Sequence, residues 1–297
     1  MNKFIMHVNY GELTGGNYGH KTVDDVCRLA AESGYDGIEF RSAVPKTKDD
    51  LSFNEYIDQI AKGKKKYGLS EILFGIGVAP EYDATAEERA EAINAAKDIV
   101  RAVHDKCGTT LFNASGKYIK SPLPGVEGYQ YHFHGSAAAT QLHWDISVEV
   151  FKEMAKTLEE LGVKFAFETH MNYIHDLPDA SKKLVDLIDS PSIGINMDFG
   201  NTVYFPVFPD VESVIDLYGD KLFYTHLKNS IKIAGVPRNV PVALSEGMIN
   251  HRLYLTKLKE TGFKGCIGIE APRPGDRELF AREDLAYIKS ICKDINY

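Results

Sequence analysis

Glu168, Asp198, His226 and Glu270 are the residues whose types and spacing are best suited to chemistry as a group. Glu168 closes the run VKFAFE, Asp198 closes IGINMD, Glu270 closes CIGIE, and His226 lies one residue from the end of LFYTHL. Each is a polar residue at or near the end of an apolar run. If the four runs are neighbouring parallel strands, their end residues converge on one point above the sheet. Three carboxylates and an imidazole suit one divalent ion, with Mn²⁺ the first choice and Mg²⁺ or Co²⁺ the alternatives. Without a cation, the carboxylates repel and raise one another's pKa values. Any one of them alone is more simply a salt bridge or a strand-end cap, but four at successive strand ends make a site.

The elements that must position these groups alternate along the whole chain. Apolar runs at 3–9, 36–41, 71–78, 109–114, 163–168, 193–198, 222–227 and 266–270 read as strands. Between and after them, 22–33, 51–67, 85–106, 145–161, 180–188, 211–218, 251–259 and 281–292 carry helical spacing, several ended by glycine. Strands buried on both faces read as continuous apolar runs, and alternating βα units give a parallel sheet. Eight such units predict an α/β fold, a closed (β/α)8 TIM barrel forming one domain over residues 1–297. An open doubly wound sheet would show GxGxxG after its first strand. The segment there, NYGELTGGNYGH, lacks that pattern. The connections 115–142 and 229–249 are long and belong at the C-terminal face, where barrel enzymes place their sites.

Composition narrows the function classes. The chain has 297 residues, 44% hydrophobic and 26% charged, with a net charge of −8, which speaks against a dedicated nucleic-acid binder. No apolar run reaches the roughly 20 residues needed to span a bilayer, and the first residues lack a signal-peptide pattern. Cys27, Cys107, Cys266 and Cys292 form no CxxC pair. These observations predict a cytoplasmic protein with reduced thiols and no membrane or nucleic-acid partner.

The motifs FETH (167–170), NMDFGN (196–201), THLKN (225–229), IGIEAPRPGDR (267–277) and DGIEF (36–40) resemble those of the xylose isomerase-like superfamily of sugar isomerases and epimerases. The resemblance runs over nearly the whole chain and implies a sugar substrate. In its ketose 3-epimerase members, the glutamates matching Glu168 and Glu270 ligate the metal and also exchange protons with the sugar. The residues matching Asp198 and His226 complete the coordination. Two departures stand out. Those epimerases carry His where this chain has Asn201, and only Arg238 loosely matches the arginine of their loop after the seventh strand. The runs FETHMNYIHDLP, MDFGNTVYFP, HLKNS, SEGMINHR and EAPRPGDR are similar instead to the metal-binding subunit of C-glycoside deglycosidases. That resemblance implies removal of the C2 proton of a 3-keto C-glycoside, β-elimination of the aglycone, and a small second subunit in a hetero-oligomer. A ketose 3-epimerase or sugar isomerase is the alternative. A DNA-repair endonuclease of the same superfamily is remote, because it calls for several metals and a basic groove.

On this reading His143, beside Trp144, is the base or else an ordinary helix-start residue. His170 binds substrate, orients a ligand or is structural. Lys228 sits over the site or on the surface, and Asn201 holds a hydroxyl or caps a turn. Glu246 reaches substrate, unless the segment serves capping by Ser245 or Asn250. Arg273 grips a ligand, whereas Arg277 fits an ion pair. Glu39 contacts substrate or is structural. Tyr129, Tyr131, Phe133 and Trp144 stack on a sugar or aglycone, or pack the long loop.

Overall fold

The computed structural model describes residues 2–11, 21–45, 51–236, 239–271 and 273–297. Its strands are β1 (Lys3–His7), β2 (Gly37–Arg41), β3 (Glu71–Gly77), β4 (Leu111–Ser115), β5 (Lys164–Glu168), β6 (Ile193–Asp198), β7 (Leu222–Leu227), β8 (Asn229–Ile231), β9 (Val240–Val242) and β10 (Cys266–Ile269). The helices are α1 (Val23–Ser33), α2 (Phe53–Tyr67), α3 (Ala86–Cys107), α4 (Gln141–Leu161), α5 (Pro178–Ile188), α6 (Phe199–Thr202), α7 (Val211–Tyr218), α8 (His251–Glu260) and α9 (Arg277–Ile295). Eight strands close a parallel barrel in the order β1-β10-β7-β6-β5-β4-β3-β2, while β8 and β9 form a separate antiparallel hairpin. This is the (β/α)8 barrel expected from the alternation. No described helix is long and apolar enough to cross a membrane.

Local chemistry punctuates the helices where the chain must turn. Thr22, Ser52 and Thr85 each accept a hydrogen bond from the backbone N–H three residues on, and Asp25, Glu55 and Glu88 reach back to complete capping boxes. Gly34, Gly68, Gly108 and Gly162 end α1 to α4 in the left-handed region.

Period-two alternation then fixes what points into the barrel. Ile5 of β1, Leu73 of β3, Ala166 of β5 and Tyr224 of β7 form a small buried cluster, the interior ring contributed by alternate strands. Above it, the remaining strands contribute Glu39, Asn113, Asn196 and Gly268. Two residues further along the first set come His7, Gly75, Glu168 and His226. The uppermost ring holds Arg41, Ser115, Asp198 and Glu270. The interior thus changes from an apolar plug to a polar mouth within a few residues of each strand. The much larger apolar core lies between strands and helices.

Three details differ from the sequence expectations. α4 begins at Gln141 rather than at residue 145, which shortens the long β4–α4 connection. The 229–249 connection contains the β8–β9 hairpin. β1 stops at His7 and turns into one 3-10 turn at Val8–Tyr10. Most of NYGELTGGNYGH lies outside the described residues.

Leu73→Ala opens a cavity in the interior ring. Chemical denaturation is expected to show a loss of about 2–5 kcal/mol.

Candidate metal centre

Glu168, Asp198, His226 and Glu270 come together at the C-terminal mouth. One ligand atom from each lies within 4.8 Å of the others. His226 Nδ1 is 3.1 Å from Glu270 Oε2, 3.7 Å from Asp198 Oδ2 and 3.9 Å from Glu168 Oε2. Asp198 and His226 are fully buried.

The imidazole is aimed from behind. Its Nε2 lies 2.7 Å from Glu39 Oε2, which also accepts the Tyr224 hydroxyl at 2.7 Å. Asn113 Nδ2 donates to Glu39 Oε1 at 2.9 Å and to Glu168 Oε2 at 2.8 Å. Asn196 in turn donates to Asn113 Oδ1 at 3.1 Å. Glu39 therefore fixes the ring through Nε2–H and turns Nδ1 towards the cluster. Burial alone would raise the Glu39 carboxyl, but His226, His7 and Tyr224 hold it at about 2. Burial alone would lower His226. Glu39, Asp198 and Glu270 instead keep it well above the ordinary imidazole value.

The residues fit a cation. Asp198 Oδ1 and Oδ2, His226 Nδ1 and Glu270 Oε2 are buried without an aligned hydrogen-bond partner. Such atoms are costly unless a charge of opposite sign satisfies them. Lys228 supplies part of that charge. Its ammonium lies 2.6 Å from Asp198 Oδ2 and 3.3 Å from Glu270 Oε2. The Lys228 stem passes so close to Gly200 that a Cβ there would meet Lys228 Cγ at 2.0 Å. Burial opposes the Lys228 charge, yet Asp198, Glu270 and Glu168 raise its pKa.

The two glutamates meet different surroundings. Burial raises Glu168, assisted by Glu270 and Asp198 and opposed by His226. Burial also works against ionised Glu270, but Lys228, His7 and His226 outweigh it and hold its pKa well below the usual carboxylate range. Paired carboxylates driven apart in this way are suited to opposite proton-transfer roles.

A cavity of about 340 Å³ opens above the cluster. Glu168 and Glu270 line it, whereas Asp198 and His226 do not. Its other walls include His7, Arg41, Gly75, Gly77, Ser115, Tyr118, His170 and Tyr173. Tyr118 and Tyr173 form an aromatic wall, with ring centroids 4.4 Å apart. A larger cavity of about 880 Å³ lies at the opposite end, among the strand starts near Lys3, Lys164 and Phe223. It has no convergent ligand set and lies at the end of the barrel associated with stability.

Other sequence candidates divide clearly. His170 lines the cavity, with Nδ1 3.0 Å from Met171 O. Asn201 donates to Thr169 O at 2.9 Å and to Glu168 Oε1 at 3.3 Å, and its Oδ1 accepts from Lys228 at 3.3 Å. His143 does not line the cavity. The early start of α4 makes its ring part of a capping box with Thr140, packed edge-on against Tyr82. Glu246 is exposed on the loop after β9, and Asn250 caps α8. Arg273 is buried in an ion pair with Asp284 at 2.7 Å and lies over Phe280, away from the cavity where it was expected to grip a ligand. Arg277 donates to Asn9 O at 2.8 Å. Tyr129 and Phe133 are exposed, Tyr131 meets Tyr204 edge-on, and Trp144 is buried beneath Lys183. None of those four lines the cavity. Arg238 lies outside the described residues.

Sequence reasoning missed Asn113, Tyr224, His7 and Asn9. A usable signal was present for Tyr224, which precedes His226 by two residues and so shares its face. Asn9 Nδ2 donates to Glu270 Oε1 at 3.0 Å.

A family model described as a xylose isomerase-like TIM barrel matches residues 27–291. The chain belongs to this family. Within the xylose isomerase-like barrels it is 25% identical over 153 residues to an inosose isomerase of Bacillus subtilis (strain 168), covering 50% of this chain and 54% of that protein. The chain spans about half the length of the relatives it matches by sequence. A xylose isomerase-like barrel from Mycobacterium smegmatis, solved with magnesium, superposes with a TM-score of 0.74 at 17% identity, over 99% of this chain and 98% of that one. A D-allulose 3-epimerase from Methylomonas sp. gives 0.70 at 15% identity, over 98% of each chain. The solved structures bear on the fold.

Two outcomes are expected. Glu39→Gln leaves all four ligand atoms in place but loosens the imidazole, and calorimetric titration with Mn²⁺ should show affinity falling by about 10–100-fold. The second concerns Asp176, which accepts from Ser136 N at 3.2 Å and crowds Gly135, where a Cβ would meet Asp176 Oδ2 at 2.0 Å. Burial pushes its carboxyl up to about 6. The folded chain therefore binds this proton more tightly than the unfolded chain. The resulting stability is whole below about pH 4 and is lost as pH rises through about 6. Relative to Asp176→Asn, the unmodified protein should lose up to about 3 kcal/mol between pH 4 and 7, read by denaturant melts at each pH.

Proposed function

We propose that this chain is a divalent-metal-dependent enzyme that removes a proton from the carbon beside a carbonyl of a hydroxylated, sugar-like substrate. The observation that carries this reading is the division of the ligand set. Glu168 and Glu270 face the cavity while Asp198 and His226 are sealed beneath it. The sealed pair holds the ion, Mn²⁺ in the first instance, and the cavity-lining pair both ligates and exchanges protons. When bound, the ion supplies Lewis-acid stabilisation of the negative charge that develops on the substrate oxygen.

Glu168 and Glu270 reach the cavity from β5 and from the end of β10, strands that are not neighbours in the barrel. One carboxylate takes the proton and the other returns one to the enediolate, which gives epimerisation or isomerisation. Asn201 holds Glu168 from the side, Asn9 holds Glu270, and Lys228 keeps Glu270 ionised. His170 extends the polar wall. The matched inosose isomerase carries the name of this kind of reaction.

A second reading is β-elimination from a 3-keto C-glycoside, with a small partner subunit. The Tyr118–Tyr173 wall favours it, because paired rings suit an aromatic aglycone. On this reading the base is Glu168 or Glu270, since His143 is engaged with Thr140.

The test is deuterium incorporation. Protein loaded with Mn²⁺ is incubated in D₂O with D-fructose and, separately, with a 3-keto C-glycoside, followed by NMR. Exchange without bond cleavage supports the first reading, and aglycone release supports the second. Glu168→Gln and Glu270→Gln should each lower the rate by about 10²–10⁴-fold. Full metal-stimulated turnover in both variants would sink the assignment.

A further inference from the structure

The strand β2 ends Glu39, Phe40, Arg41. Alternation sends Phe40 into the helix layer and both charged residues into the barrel, Glu39 buried and Arg41 one ring higher. Arg41 shares that upper ring with Ser115, Asp198 and Glu270. It is exposed and lines the cavity, and among the described lining residues it is the only Lys or Arg. Its Nη2 donates to Asn9 Oδ1 at 3.2 Å. No carboxylate pairs with it among the described residues, although Glu39, Glu168 and Glu270 line the same cavity.

The space beside Arg41 is kept clear. Gly75, where a Cβ would lie 3.9 Å from Arg41 Cγ, and Gly77 leave the β3 rim without side chains. A ligand can therefore reach the guanidinium from within the cavity. The field there has a direction. An anionic group set against the lining carboxylates is repelled, whereas the same group at the β2–β3 corner meets the Arg41 guanidinium. A guanidinium presents parallel N–H donors matched to a planar carboxylate. A phosphate dianion would bring a second negative charge into repulsion with Glu39, Glu168 and Glu270, which line the same cavity.

We propose that Arg41 determines specificity by anchoring a carboxylate on the substrate, so that the protein acts on a sugar acid rather than a neutral sugar. This rests on the proton-transfer reading for the metal end of the cavity. The carboxylate docks at Arg41, and the carbonyl end is thereby turned towards Glu168 and Glu270.

Binding tests the proposal without turnover. Mn²⁺-loaded protein is titrated calorimetrically with D-glucuronate and with D-glucose, which differ only at C6. The acid should bind about 10-fold more tightly or better. Arg41→Gln should lose that preference while keeping its Mn²⁺ affinity, and Arg41→Lys should keep part of it. Glucose 6-phosphate should bind more weakly than glucuronate. Equal binding of acid and neutral sugar, binding of neither, a preference that survives in Arg41→Gln, or tighter binding of the phosphate ester overturns the proposal. The two readings fail separately: absence of deuterium exchange into both D-fructose and its 6-carboxylate, D-fructuronate, strikes at the glutamates, and absence of an acid preference in binding strikes at Arg41.

Discussion

Three carboxylates packed within a few ångströms at the mouth of a barrel set the terms for everything around them. Water cannot screen Asp198, which is fully buried, and its two oxygens lack aligned hydrogen-bond donors. Such a group is costly to bury unless positive charge is built in close by. The chain provides it in two forms, the His226 ring from below and the Lys228 ammonium from the side. Gly200 follows from the same demand, since any side chain there would close the path of the Lys228 stem. A divalent ion held there would complete the neutralisation that the Lys228 ammonium begins.

The barrel makes this affordable by changing character along its axis. The ring of Ile5, Leu73, Ala166 and Tyr224 is apolar apart from one hydroxyl, and that hydroxyl is the group that holds Glu39. Glu39 then holds His226. Orientation passes upward from a rigid plug to a ligand through two hydrogen bonds, each between residues on different strands. Asn113 ties the same carboxylate to Glu168, so one buried network steadies ligands on both β5 and β7.

How much of this was legible depended on the range over which each feature is determined. The strand-end acids were readable because period and polarity are local: an acid closing an apolar run sits at the barrel mouth whatever the loops do. Barrel closure was readable from the repeated alternation. The role of Glu39 was not, because β2 and β7 lie far apart in sequence and only the closed barrel sets Glu39 opposite His226. Loop residues were the least legible. His143 and Arg273 have the right types for a site, but their partners are settled by where a helix begins and by Asp284, eleven residues on from Arg273. The aromatic wall was missed for the same reason. Tyr118 and Tyr173 come from different connections, while the aromatic residues clustered in sequence near residue 131 turn elsewhere.

The site is also lopsided, and that asymmetry bears on what it can do. The ligands come from β5, β6, β7 and the end of β10, whereas the open volume lies above β1 to β5. On the ligand side, Lys228 and Asn201 bridge Asp198 and Glu168. On the open side the wall is thin, with glycines on β3, and polar, with Ser115 and Arg41. Of the four clustered side chains, a molecule in that volume can touch only Glu168 and Glu270. The two carboxylates that line the cavity are thus the two of the cluster that a ligand there can touch, and Asp198 and His226 lie sealed beneath them.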